Sequence, residues 1–207
     1  MKLRTSTLYV ILFSVLIGGC ATMNESECRN ADWYMIGIED GINGSLPSRI
    51  GEHRQTCSKY NVTPNLNAYQ NGHAEGIKQF CTESQGFANG KKGIRYKGVC
   101  PPGLEMAFLK GYRIGRNFYD LSNEIERAGG AISSYKNRIE KLEKNISKKE
   151  QLLVNDGTTV DDRRRLLDEI KKNQKEIGEL EEKILDNEKH KAVKENEYSQ
   201  LQNLYNY

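Results

Sequence analysis

From Phe118 onward the apolar residues return at every seventh position, and this repeat limits the fold more than any other feature of the chain. Phe118, Ile125, Ile132, Ile139, Ile146 and Leu153 form one row, and Leu121, Ala128, Tyr135, Leu142 and Lys149 form a second row three positions later. Rows spaced by three and four residues share one helical face, so the segment reads as a coiled-coil seam of about five heptads. The pattern breaks at Asn155-Asp156-Gly157 and restarts at Thr158-Thr159, where Thr159 and Asp162 have capping-box spacing. On the returning stretch Ile170, Ile177 and Ile184 make one row, and Leu166, Leu180 and Leu201 share the other with Asn173 and Asn187. The expected element is an antiparallel helical hairpin over 119–207 with its turn at about 155–159. At about 1.5 Å per residue, its outgoing helix from Phe118 to Val154 would reach about 55 Å. Polar seam residues weaken such a pair and set its register, which points to the stretch around Asn173 and Asn187 as the loosest self-contact. Gly129-Gly130 lowers helix propensity by about 2 kcal/mol and reads either as a hinge or as an irregularity held by the partner helix.

Upstream a different phrase recurs: Tyr34-x-x-Gly37-x-x-x-Gly41, Tyr69-x-x-Gly72-x-x-x-Gly76 and Phe108-x-x-Gly111-x-x-x-Gly115. An aromatic residue with glycines three and seven positions later lies on one helical stripe, which gives a helix with a bulky end and a smooth trough. Each glycine costs a helix about 1 kcal/mol relative to alanine, so close packing against another backbone must offset it. Charged residues interrupt every one of these segments, which excludes the membrane-helix use of spaced glycines. Phe87-x-x-Gly90-x-x-Gly93 with Tyr96 reads as a degenerate or non-helical variant. A β reading is disfavoured by the scarcity of alternating β-branched residues.

The N-terminus carries Lys2 and Arg4, an apolar run from Leu8 to Ile17, and then Gly18-Gly19-Cys20. This is the layout of a secretory signal, too short to span a bilayer. Leu16-Ile17-Gly18-Gly19-Cys20 resembles the lipobox of bacterial lipoproteins, in which the thiol accepts a diacylglycerol and becomes the mature N-terminus. The resemblance implies a signal over 1–19, a lipidated Cys20 with a tether to residue 29, and anchoring stabilised by several acyl chains. Ala21 and Thr22 in place of an aspartate suggest the outer membrane, at its periplasmic face.

Cys28, Cys57, Cys81 and Cys100 remain, an even set in a compartment that favours disulfides. Three connectivities are open. Cys57 with Cys81 and Cys28 with Cys100 is the weakly preferred set, because the first two end adjacent predicted helices and the others bracket the domain. Paired Cys-x-x-Cys spacings are missing, so no metal is expected. Lys and Arg number 31 against 28 Asp and Glu, without the excess that nucleic-acid binding would need.

The spaced residues from Cys28 through Asp32-Trp33-Tyr34, Glu39-Asp40-Gly41, Arg49, His53-x-x-x-Cys57, Tyr69 to Gly76, Phe80-Cys81 and Tyr96-x-Gly98-x-Cys100-Pro101 resemble Gram-negative lipoproteins that carry the domain of unknown function 2799. That resemblance implies a location and a shared small domain. It implies no activity and no catalytic residues.

Chemistry candidates are few. His53 lies one helical turn before Cys57 and reads as packing beside a disulfide and bonding a backbone carbonyl, rather than as a ligand or base. His73 reads as a surface residue. Asp32 suits a helix cap. Glu39 and Asp40 are neighbours that point different ways on a helix, which disfavours a glycosidase pair unless Asp32, Glu39 and Glu75 meet in one cleft. Trp33 reads first as a core anchor. Together these readings give an all-α chain: a disulfide-stapled, glycine-faced domain over 30–118, followed by the hairpin. The expected function is a non-enzymatic, lipid-anchored envelope protein without a cofactor, meeting the membrane through its lipid and an envelope protein through the hairpin. Self-association is the other contact the hairpin allows. An alternative is a small-ligand or peptidoglycan site lined by Trp33, Tyr34 and His53, and an envelope hydrolase is the least favoured reading.

Overall fold

A computed structural model describes residues 23–205, so the leader and Cys20 lie outside the described residues. The described residues are helical throughout, with no strand among them. Their contacts divide the chain between Phe80 and Cys81 into two compact units.

The first unit begins with α1 (Glu25–Arg29), closed by a capping box between Asn24 and Glu27. In α2 (Trp33–Ile42) the Asp32 carboxylate accepts from the Tyr34 and Met35 amides, the cap expected from sequence. A 3₁₀ turn at Pro47–Arg49 leads into α3 (Ile50–Cys57), and a second at Ser58–Tyr60 ends on Asn61 in the left-handed region. The longest element of this unit is α4 (Leu66–Phe80). Its core joins Cys28, Trp33, Ile50, Cys57 and Tyr69.

α2 packs along α4 with their glycines facing each other's backbone. A β-carbon on Gly72 would run into the carbonyl of Tyr34, and one on Gly37 into that of Tyr69. The smooth troughs predicted from sequence are therefore places where two backbones touch, and dispersion along the contact offsets the propensity cost. The pair is closed by Gly44, at φ +66°, over which the Phe80 ring lies.

The second unit contains α5 (Glu83–Lys91), α6 (Pro102–Leu153) and α7 (Val160–Leu204). Its first part rebuilds the same pair. Gly86 and Gly90 of α5 face the carbonyls of Phe108 and Tyr112, while Gly111 and Gly115 of α6 face those of Glu83 and Phe87. Gly93, at φ +72°, lies under the Tyr119 ring as Gly44 lies under Phe80. This corrects the degenerate or non-helical reading of Phe87 to Gly93. The fourth phrase is Glu83-x-x-Gly86-x-x-x-Gly90, a helix whose aromatic position holds a glutamate.

The disulfides also differ from the preferred pairing. Cys28 bonds Cys57 and Cys81 bonds Cys100, with Cα–Cα distances of 5.5 and 5.6 Å. Cys57–Cys81 and Cys28–Cys100 are not formed. Each bridge instead lies within one unit, Cys28 of α1 to Cys57 of α3 in the first, and in the second between the residues that lead into α5 and α6.

The boundary read at 118/119 falls inside α6, which runs unbroken from Pro102 to Leu153, through Gly129-Gly130 as well. A β-carbon at Gly130 would meet open space, and one at Gly129 only the Lys191 side chain. The glycines are thus accommodated within a continuous helix. No helix among the described residues is long and apolar enough to cross a membrane.

Candidate functional site

Asp40 sits seven residues after Trp33, on the same face of α2, and that face is buried between α4 and α3. A buried carboxylate is costly unless donors surround it. Here they do: the Tyr69 hydroxyl donates to Oδ2 at 2.8 Å and His53 Nε2 lies 3.0 Å from the same oxygen. Arg49 Nε sits 2.9 Å from Oδ1. Burial foremost, and then the Asp40 hydrogen bond, push the Tyr69 hydroxyl well above the usual tyrosine range. Around this group the rings of Trp33 and Tyr69 stand 6.1 and 6.0 Å from that of His53.

His53 therefore bonds a carboxylate and not the backbone carbonyl expected for it. His73 is buried rather than on the surface, with Nε2 2.8 Å from the Ser45 carbonyl oxygen. Sequence reasoning weighed Asp40 only as half of a carboxylate pair with Glu39 and missed its burial among Tyr69, His53 and Arg49. The signal was present: a carboxylate on the stripe of Trp33 and Gly37 has to be buried, and Arg49 and His53 lie just downstream to meet it.

In the second unit tyrosines take the equivalent places. Tyr112, next to Gly111 as His73 is next to Gly72, donates to the Ile94 carbonyl at 2.9 Å. Tyr96 donates to Glu105 at 3.0 Å and accepts the Cys100 amide at 3.0 Å. Burial, with a contribution from Glu105, raises its hydroxyl above the usual range against the lowering effect of the Cys100 amide. The rings of Tyr96 and Phe108 lie 4.8 Å apart.

Of the three residues proposed to line a ligand site, Trp33 is 8% exposed and part of the core, and His53 lies beside it. Tyr34 is on the outside of α2, 40% exposed, and does not converge with them. The carboxylates considered for hydrolysis stay apart in their roles: Asp32 caps α2, Glu75 pairs with Lys78 at 2.8 Å, and Glu39 is exposed. The polar cluster is thus a satisfied network centred on Asp40, with its donors already engaged.

The hairpin is the other candidate. α6 and α7 pack antiparallel through the predicted rows, with Ala128, Leu142, Leu166, Ile170, Leu180 and Ile184 buried. Ion pairs flank the seam: Arg138 with Glu176 at 2.8 Å, Lys149 with Glu169 at 2.9 Å and Lys136 with Glu188 at 3.4 Å. Hydrogen bonds from Arg138 and Lys149 hold the Glu176 and Glu169 carboxyls below their ordinary range. Asn173 is not an orphan, since its amide donates to Asn145 of the opposite helix at 3.0 Å. Asn187 turns back to the Lys183 carbonyl of its own helix. Near the chain end the Tyr198 ring meets Phe118 edge-on at 5.2 Å.

The turn is closed by polar bonds. Thr159 accepts from the Asp162 amide at 3.2 Å, as the capping spacing predicts, and the Thr158 hydroxyl donates to the Leu152 carbonyl at 2.6 Å. Around this closure three apolar side chains face outward: Leu152 is 50% exposed, Val154 80% and Val160 74%.

Comparison with the curated proteins and with the solved structures finds no match. A family model does match, over residues 32–117. That span starts at the Asp32 cap and ends in α6 just beyond Gly115, so it takes in both glycine-faced helix pairs and the Asp40 network and leaves out most of the hairpin. The model is that of the family described as protein of unknown function (DUF2799), which the N-terminal part of the chain matches over this span.

Proposed function

We propose that this chain is a lipid-anchored cell-envelope protein in which the glycine-faced helix pairs lie toward the anchor and the hairpin is an arm that binds a protein partner. The observation that carries the reading is the arm's end: two long helices close on a hydrogen-bonded turn that leaves Leu152, Val154 and Val160 in water. Apolar side chains held outward on a rigid support suit a protein contact. The anchor rests on Leu16 to Cys20, and it directs the reading to the outer membrane at its periplasmic face. A glycan or small-ligand site at Trp33, Tyr34 and His53 is the weaker reading, because the tryptophan is in the core and Tyr34 points elsewhere.

Photocrosslinking amino acids placed singly at Val154, at Val160 and at the exposed mid-arm Lys141 test the arm in cells. The expected outcome is a discrete adduct from the two tip positions and none from the mid-arm one. No adduct from any of the three would overturn the arm reading. The anchor is tested separately: Cys20→Ser should abolish labelling by radioactive palmitate and release the chain from the membrane fraction.

A further inference from the structure

α7 carries a second stripe, about a quarter-turn round from the seam, made of Val160, Leu167, Gln174, Gly178, Leu185 and Ala192. At about 100° per residue all six fall within about 20° of one line along the helix. The stripe is open to solvent: Val160 is 74% exposed, Leu167 47% and Leu185 51%. A β-carbon on Gly178 would meet nothing within 4 Å. The stripe is symmetric in spacing about residue 176, with a leucine at the same distance on either side. Read from one end it runs Val160, Leu167, Gln174, and from the other Ala192, Leu185, Gly178.

We infer that this stripe is a homodimer face on which α7 of a second copy packs antiparallel. In that register Leu167 of each copy meets Leu185 of the other, Val160 meets Ala192, and the side chain of Gln174 lies over the bare backbone of Gly178. A surface that fits itself across a two-fold axis is the signature of an isologous contact. The flanking charges select the orientation. An antiparallel pair brings Lys171 to Glu182 and Arg163 to Glu188, opposite charges in each case, although Arg163 and Glu188 also bond the turn carbonyls and Lys136. It brings Arg164 to Lys189, like charges with Asp186 beside them. A parallel pair would instead set Arg163 beside Arg164 and Glu181 beside Glu182, which repel. The face begins at Val160, which it shares with the arm's tip, but its test at Leu167 and Leu185 depends neither on the lipid anchor nor on the tip's partner.

The test uses two full-length chains with different epitope tags, one carrying Leu167→Cys and the other Leu185→Cys, co-expressed and oxidised with copper phenanthroline. In the antiparallel register the two thiols adjoin, while identical thiols in a dimer lie about 27 Å apart. A disulfide-linked species carrying both tags is expected at about ten times the yield from either variant alone. Equal cross-linking from a single variant would indicate a parallel or random encounter and overturn the inference, as would no cross-link in the mixture. The charges give a second measurement: Lys171→Glu alone and Glu182→Lys alone should each lower the mixed yield several-fold, and the two together in both chains should restore it. Failure of the double exchange to restore the yield would also overturn the proposed register.

Discussion

At Gly72 the carbonyl of Tyr34 occupies the space where a side chain would begin, so this residue measures how closely α2 and α4 must approach. Gly72→Ala forces two backbones apart and is expected to cost about 1–3 kcal/mol in urea denaturation. Gly130→Ala, in an open stretch of α6, is expected to stabilise the helix by about 1 kcal/mol in the same measurement. If both substitutions proved neutral, backbone contact would not be what the glycines are for. Asp40 and Tyr69 make the second residue-level argument. The Tyr69 hydroxyl is raised above its ordinary value of 10, so its contribution to stability is full below that value. It declines as pH rises above 10, because the unfolded tyrosine then loses its proton while the folded one keeps it. Wild type should therefore lose stability more steeply than Tyr69→Phe between pH 10 and 11.5, read by denaturant titrations at each pH. The glycine stripes could be read directly, since their spacing is itself the signal. Asp40 could not be read in the same way, because its partners Arg49, His53 and Tyr69 come from other elements and only the fold brings them together.

Each unit has its own bridge, and the sequence separations are 29 and 19 residues. On the loop-entropy account each bridge contributes about 3 kcal/mol. Peptide mapping without reduction should recover one linked peptide pair containing Cys28 and Cys57 and another containing Cys81 and Cys100. Any peptide joining Cys57 to Cys81 would contradict the arrangement. The pairing was hidden at the level of sequence because it depends on which helices are neighbours. Treating 30–118 as one body made Cys28 and Cys100 look like its two ends. Had Glu83 been aromatic, the fourth phrase would have stood out, and a doubled motif with one bridge per copy would have followed. The hairpin was legible at this scale because its two rows and its capping threonine repeat a local rule. The cross-helix pairings, Asn173 with Asn145 and Arg138 with Glu176 among them, depend on how the two helices align and were not legible.

Across the whole molecule the arm is held by charges in water as well as by its seam. The Glu169 and Glu176 carboxyls are lowered from 4.5, so their pairing is present above that pH and is lost as pH falls through their depressed values. Helical circular dichroism of the full chain should therefore show a lower melting temperature at pH 3 than at pH 6, with the difference reduced in 1 M salt. An unchanged melting temperature would assign the arm's stability to the seam alone. The continuity of α6 has a mechanical consequence. One helix starts in a glycine-faced pair and ends at the turn, with no joint along it, so any change in its length is also a rotation. Each added or removed residue would swing the far side chains by about 100° around the axis. Natural variants of this arm should accordingly differ in length by whole heptads, gained or lost in both helices together. A change in one helix alone would slip the seam and rotate Val154 and Val160 relative to each other.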